Sequence, residues 1–358
     1  MRFLTLILIF FVSALRAQQP APAIELSSAD KDSLTAMAYR AGFSGTLVIV
    51  QNGKEIFTYS GGLADESTGR YNDPDTRFNQ CSNGKTLTAI LVLQAVEAGR
   101  LKLDEPVAPY MPKGTALPNA ARITIRQLLN HTSGLGDFFE HPKFSDSLVR
   151  TIDQHYQLVT DMKPVSDTPG SKFHYSNSGF IVLGKVLETV YRHPYQELVQ
   201  ERILTPAGIT GGKGKAYSTG YAQKDGRWER GEGNEHRYWT SAGGIFLSPR
   251  EMNVLLQALN SGKYLSNESR RQLWSKESRP EPGPPFVHYG LGWMVEDPGG
   301  LTLLGHNGGV RGFQCAFRYL PSENISFYLC SNRDGGGERL FMQTLFLLMK
   351  KKGIEPPR

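Results

Sequence analysis

The chain has 358 residues, enough to bury a substantial core in one large domain or two. Hydrophobic residues make up 39% and charged residues 21%, which excludes a disordered or fibrous chain and fits an ordinary globular one. The formal charge of +6 comes from Lys and Arg scattered along the sequence, so no basic patch argues for a nucleic-acid partner.

At the start, Arg2 precedes an apolar run from Phe3 to Leu15 and small Ala17 follows it. Residues 1–17 therefore read as an export signal, too short to span a bilayer in the mature protein. Its removal loses Arg2 and Arg16 and no acid, taking the charge from +6 to +4. The expected mature domain, 18–358, is exported to a periplasm or the exterior. No later stretch reaches ~18 consecutive apolar residues, so no integral membrane segment is expected after cleavage.

After a Gln/Pro lead at 18–22, a helix is predicted from about Ser28 to Ala41. Gly45 to Gln51 and Lys54 to Tyr59, joined by Asn52-Gly53, read as a β-hairpin. Thr86 to Ala98 reads as a helix that Gly99 stops. Leu87, Ile90, Leu91 and Val96 share a face, but Val92 and Leu93 make it apolar nearly all round, so it is expected to be buried on most sides. A short helix from Ile125 to Asn130 feeds the loop His131-Thr-Ser-Gly-Leu-Gly136. Helical periodicity dominates from about 140 to 280, at Ser178–Tyr191, Tyr195–Leu204 and Pro249–Ser261. Strands return at about 289–296, 301–305, 312–320 and 325–331, before a helix from about Glu338 to Lys350. The expected fold is α/β of the α+β type. An antiparallel sheet built from both chain ends (about 28–80 and 286–358) carries flanking helices, and a mainly helical region (about 81–285) is inserted.

Three stretches carry chemistry. Ser82 sits where the central helix begins and Lys85 lies one turn on, so both side chains share a face at a helix N-terminus that favours anions. A hydroxyl beside an amine there is a nucleophile arrangement, although Ser82 alone could merely cap the helix. Ser28-Ala29-Asp30-Lys31 has the same spacing on the exposed leading helix. Tyr175-Ser176-Asn177 supplies a phenol that can act as a base if a cation lowers its pKa, and an amide that can hold a carbonyl. A loop tyrosine with an Asx-type turn is the plainer reading. His306-Asn307-Gly308-Gly309, at the end of a strand, combines an imidazole with glycines whose N–H groups can approach an oxyanion. His288 and Lys351 also stand two before a glycine, but Lys351 lies in the polar tail and His288 opens a strand without a second glycine. No Cys, His and carboxylate cluster has metal-ligand spacing, and no cofactor is expected.

As an ordered set, Ser82-x-x-Lys85, Tyr175-x-Asn177 and His306-x-Gly308-Gly309 resemble the serine β-lactamase-related family, which includes class C β-lactamases, R61-type DD-peptidases, D-aminopeptidases and family VIII esterases. His131-Thr-Ser-Gly-Leu135, Ser241-Ala-Gly-Gly244 and Tyr289-Gly-Leu-Gly-Trp293 support the resemblance, which covers about Gly42 to Phe346. It implies that Ser82 is acylated, Lys85 handles its proton, Tyr175 is the base and Asn177 orients the substrate. It also implies that His306 takes the place of the lysine of Lys-Thr-Gly, and that the N–H groups of Ser82 and Gly309 form an oxyanion hole. A histidine at 306 is closer to the peptidase and esterase branches than to true class C β-lactamases. Cys81-Ser82-Asn83-Gly84 is unusual, since Gly84 weakens the first helical turn by roughly 1 kcal/mol.

The resemblance therefore implies an exported serine hydrolase that works through an acyl-enzyme on an amide or ester of a small-molecule or peptide substrate. A true β-lactamase, or a catalytically silent ligand-binding module on the same fold, is the alternative. His306 is expected to be neutral at pH 7, which leaves Arg311 as the nearest permanent cation in sequence. If it points into the site, it would hold a substrate carboxylate. Finally, a four-residue turn at 321–324 would set Cys315 opposite Cys330 on adjacent strands. Export permits a disulfide there, but directly opposed positions strain one, and paired free thiols are the alternative.

Overall fold

The computed structural model describes residues 24–355 except 113, 115, 146–147, 211–215, 232–233, 235–237 and 336. The expected export signal at 1–17 and the lead at 18–22 lie outside the described residues. Asn52 and Gly53 adopt φ of 51° and 77°, the left-handed values a two-residue hairpin turn requires. They join β1 (Gly45–Gln51) to β2 (Lys54–Gly61). Two short pairs follow, β3 (Leu63–Asp65) with β4 (Arg70–Tyr71), and β5 (Phe78–Asn79) with β8 (Phe246–Leu247). Between these, β6 (Tyr221–Lys224) and β7 (Arg227–Arg230) form a hairpin inside the region expected to be mainly helical.

The C-terminal strands are β9 (Val287–Tyr289), β10 (Met294–Glu296), β11 (Leu303–Val310), β12 (Phe313–Leu320) and β13 (Ile325–Ser331). With the first hairpin they make one seven-stranded antiparallel sheet, ordered β2-β1-β13-β12-β11-β10-β9. Both chain ends supply strands, as expected. The strand predicted at 289–296 is two strands, because Gly292 takes φ of 74° and breaks the extended run. A second difference concerns His306 to Gly309, which lie within β11 rather than after it. Their register against Phe317 to Gln314 of β12 keeps even the glycines extended. Leu320 pairs with Ile325 and Cys315 with Cys330, as the turn arithmetic requires. All three cysteines are buried free thiols.

Successive residues of a strand face opposite sides, and both faces here are covered. On one side α1 (Ser28–Arg40) and α9 (Gly337–Lys351) pack Leu34, Leu340 and Leu348 on Leu47, Ile49, Phe327 and Leu329. Against the other lie α2 (Lys85–Glu97) and α5 (Asn177–Tyr191), whose Ile90, Leu91, Val182 and Leu183 share a core with Trp293, Phe317 and Tyr328. Ten residues of α2, from Lys85 to Ala95, are buried, which explains why it is apolar nearly all round. Among the described residues the other α-helices are α3 (Ile125–Leu129), α4 (Ile152–Asp161), α6 (Tyr195–Val199), α7 (Pro249–Asn260) and α8 (Asn267–Leu273). Among the described residues no helix is long and apolar enough to cross a membrane.

Candidate active site

The β5–β8 pair delivers the chain to a single turn of 3₁₀ helix, Cys81–Gly84, which runs into α2 at Lys85. Cys81 is held at φ 47°, a left-handed value that costs a non-glycine residue of order 1–3 kcal/mol. Its N–H donates to Asn79 Oδ1 at 2.8 Å, and its carbonyl accepts from Gly244 N–H at 3.1 Å. Gly84 explains itself here. A Cβ on it would meet Cα of Gly243 at 2.9 Å, and one on Gly243 would meet the Cys81 carbonyl at 2.2 Å. Two backbones touch where the turn that carries Ser82 is clamped.

Lys85 has no exposed surface. Its Nζ lies 3.1 Å from Ser82 Oγ, 2.6 Å from Asn177 Oδ1 and 2.7 Å from the Ala242 carbonyl. Burial pushes the amine down to about 7, against the charge of Asp137, which favours the ammonium. In the neutral form the two carbonyls take both N–H groups, and the lone pair is left facing the Ser82 hydroxyl. The Lys85 nitrogen also sits 5.1 Å from the Tyr175 ring centre and 5.4 Å from that of Phe180.

The Tyr175 hydroxyl shares a hydrogen bond with Ser82. Its pKa departs from the sequence expectation: burial raises it, and the hydrogen bond to Ser82 only partly opposes this. A neighbouring cation was expected to lower it, but the desolvation of the phenolate dominates. Tyr175 is therefore a protonated hydroxyl rather than a ready base. Its ring lies on that of His131, 4.2 Å between centres.

Asn177 opens α5 behind the N-cap Ser176. Asp137 Oδ2 accepts both its backbone N–H, at 3.0 Å, and its amide N–H, at 2.7 Å. The side chain is thus fully engaged between Asp137 and Lys85. His306 is 2% exposed, and Nδ1 faces the Asn307 carbonyl at 2.5 Å while Nε2 faces the Tyr289 hydroxyl at 2.7 Å. A carbonyl only accepts, so Nδ1 carries the proton and Tyr289 donates to Nε2. Burial, with Lys85 nearby, takes this imidazole down to about 3, so it is neutral as expected. Both ring nitrogens are already occupied.

Gly308 packs on the turn that carries Ser82, where a Cβ would fall 2.8 Å from Ser82 N. Gly309 faces open space and, with Ser82 and Tyr175, lines two adjoining cavities of about 700 and 370 Å³. Arg311 does not join them. It lies at the turn between β11 and β12 and pairs with Glu229 at 2.6 Å, with 40% of its side chain exposed, so the condition on which its carboxylate-binding role rested, that it points into the site, is not met. The residue after a strand that lines a cavity need not follow it inward. Of the rival motifs, Ser28 is exposed on α1, and Lys351 pairs with Asp30 at 2.5 Å. His193, Glu197 and Glu201, exposed around α6, bring ligand atoms within 4.8 Å of one another. Sequence spacing did not reveal this cluster, and it lies outside both cavities.

Asp137, Tyr289 and the Ala242 carbonyl complete the site and were missed as functional groups. Tyr289 and Ala242 lie within phrases that support the family resemblance, but neither the pattern nor the spacing assigns them a role. Asp137 follows the 131–136 loop with no motif of its own.

Comparison with known proteins places this geometry. The beta-lactamase family model matches residues 34–347. PbpX of Bacillus subtilis (strain 168), a penicillin-binding-protein homologue, is 30% identical over 300 residues, covering 81% of this chain and 71% of the relative. A D-aminopeptidase of Brucella canis is 27% identical over 305 residues, covering 82% of this chain but only 57% of its own length. The crystal structure of a penicillin binding protein from Bacillus halodurans superposes with a TM-score of 0.78 at 26% identity, covering 88% of this chain and 99% of that one.

Proposed function

The chain belongs to the beta-lactamase family of serine hydrolases, and we propose that it is an exported member that cleaves an amide or ester bond through an acyl-enzyme on Ser82. The observation that carries this reading is the Lys85 amine, buried, near pKa 7 and 3.1 Å from Ser82 Oγ. Serine is a poor nucleophile until a base takes its proton, and a base poised near the working pH does so best.

In this mechanism neutral Lys85 accepts the Ser82 proton as Oγ bonds to the substrate carbonyl carbon. The resulting oxyanion is held by the N–H groups of Ser82 and Gly309, which line the same cavities. Collapse breaks the bond to the leaving nitrogen or oxygen. That atom receives the proton from the Lys85 ammonium through the Tyr175 hydroxyl, which gives one proton while taking another, so no phenolate accumulates. Water then attacks the acyl carbon, gives its proton to Lys85, and Ser82 Oγ leaves with that proton. Asn177 keeps Lys85 aimed, while His306 braces β11 from behind through Tyr289.

Peptide-like substrates are supported by the D-aminopeptidase and penicillin-binding relatives, and simple esters by the family's esterase branch. Intact-mass spectrometry with a fluorophosphonate tests the reading. The wild type gains one adduct and Ser82→Ala gains none; an adduct on Ser82→Ala, or none on the wild type, overturns it.

A further inference from the structure

The larger cavity has a one-sided chemistry. Much of its lining is aromatic: Phe138, Phe139 and Phe144, which pack on one another, with Tyr238 and Trp239. Its charged lining residues are Arg150 and Arg230, and no Asp or Glu lines it among the described residues. Neither arginine makes an ion pair with any described residue, whereas Arg311 just outside is paired with Glu229. The Arg150 guanidinium lies 4.7 Å from the centre of the Tyr238 ring, and its Nε is buried without a hydrogen-bond partner. A buried guanidinium nitrogen lacking an acceptor is costly, and a planar fork backed by an aromatic ring is suited to a carboxylate.

Resting on the hydrolase reading of Ser82, we propose that the substrate carries a carboxylate on an apolar or aromatic body, and that Arg150, assisted by Arg230, binds that carboxylate in the larger cavity. An amine-terminated substrate would find no counter-charge among the described lining residues. The selectivity is therefore for anionic over neutral over cationic substrates of equal length.

The test varies charge alone. Mono-p-nitrophenyl adipate, p-nitrophenyl hexanoate and p-nitrophenyl 6-aminohexanoate place an anion, nothing and a cation on the acyl side. A second pair, 3-acetoxybenzoate and phenyl acetate, does so on the leaving-group side. The anionic member of at least one set should show a kcat/KM about tenfold or more above its neutral partner, the scale of a charge-assisted hydrogen bond. Arg150→Gln should lower that anion-to-neutral ratio about tenfold through KM, and Arg150→Lys should recover part of it. Arg230→Gln, which leaves the Tyr238 stack in place, should lower it less. Equal rates across charge in both sets, or a ratio unmoved by Arg150→Gln, overturn the proposal while leaving the hydrolase reading intact. No turnover of any ester together with no adduct on Ser82 overturns the hydrolase reading itself, and this inference with it.

Discussion

Asp137 holds Asn177 by two hydrogen bonds to one oxygen, Oδ2, which accepts the backbone N–H at 3.0 Å and the side-chain amide at 2.7 Å. That grip turns the amide carbonyl toward Lys85, and the same carboxylate favours the Lys85 ammonium. Asp137→Ala should therefore do two things. Activity should fall by roughly tenfold, the scale of a lost hydrogen bond to a charged group. The acidic limb of the pH–rate profile should move to lower pH, because losing the negative charge makes Lys85 easier to deprotonate. A profile that keeps its midpoint would break the link from Asp137 to Lys85.

In the proposed mechanism the competent form of Lys85 is the neutral amine. With its pKa lowered to about 7, kcat/KM should rise with pH through about 7 and level off above it. Lys85→Met should remove both the turnover and the limb. A profile flat from pH 5 to 9, recorded with an ester whose own chemistry does not titrate there, would remove Lys85 as the base.

Tyr175→Phe should lower kcat by about 10²–10⁴, the worth of a positioned proton-transfer group. The phenyl ring can still lie on His131, 4.2 Å between centres in the native pair, so the melting temperature should change little. A variant within threefold of wild type would take Tyr175 out of the proton path.

Gly84→Ala pits two effects against each other. Alanine favours a helical turn by roughly 1 kcal/mol, but its methyl would stand 2.9 Å from Cα of Gly243. Neither backbone can swing aside, so the clash should win at about 1–3 kcal/mol. Thermal unfolding should report a lower Tm, and an unchanged or raised Tm would mean that the clamp around Cys81 and Gly243 is loose.

Cys315 and Cys330 are partners in register and free thiols. Thiol titration of the unreduced, denatured protein should count three; a count of one would mean a disulfide, which peptide mapping would assign to Cys315 and Cys330 or to a pair with Cys81.

The parts of this molecule legible in the sequence are those written locally. The Asn52-Gly53 hairpin, the apolar α2 and the pairing of Cys315 with Cys330 each follow from periodicity and turn length. Ser82 and Lys85 meet because three residues are one helical turn. What stayed hidden depends on surroundings assembled from afar. Asp137 matters only because α5 begins beside it, and Arg150 only because Tyr238 comes to lie under it. Arg311 misled for the converse reason: proximity in sequence to Gly309 says nothing about which way a turn residue points. The direction of the Tyr175 shift required knowing how deeply its hydroxyl is buried, and burial outweighs the neighbouring amine.

The sheet's strand order also bears on how the molecule is made. Ser44 Oγ donates to Asn332 Oδ1 at 2.8 Å across 288 residues of chain, and β1 lies between β2 and β13. During synthesis the first hairpin therefore waits, as a two-stranded piece of marginal stability, until nearly the whole chain has emerged. Closing so long a loop is slow, and any chain cut before Ile325 lacks the strand that joins its two ends, leaving the edge of β1 open to pair with another molecule.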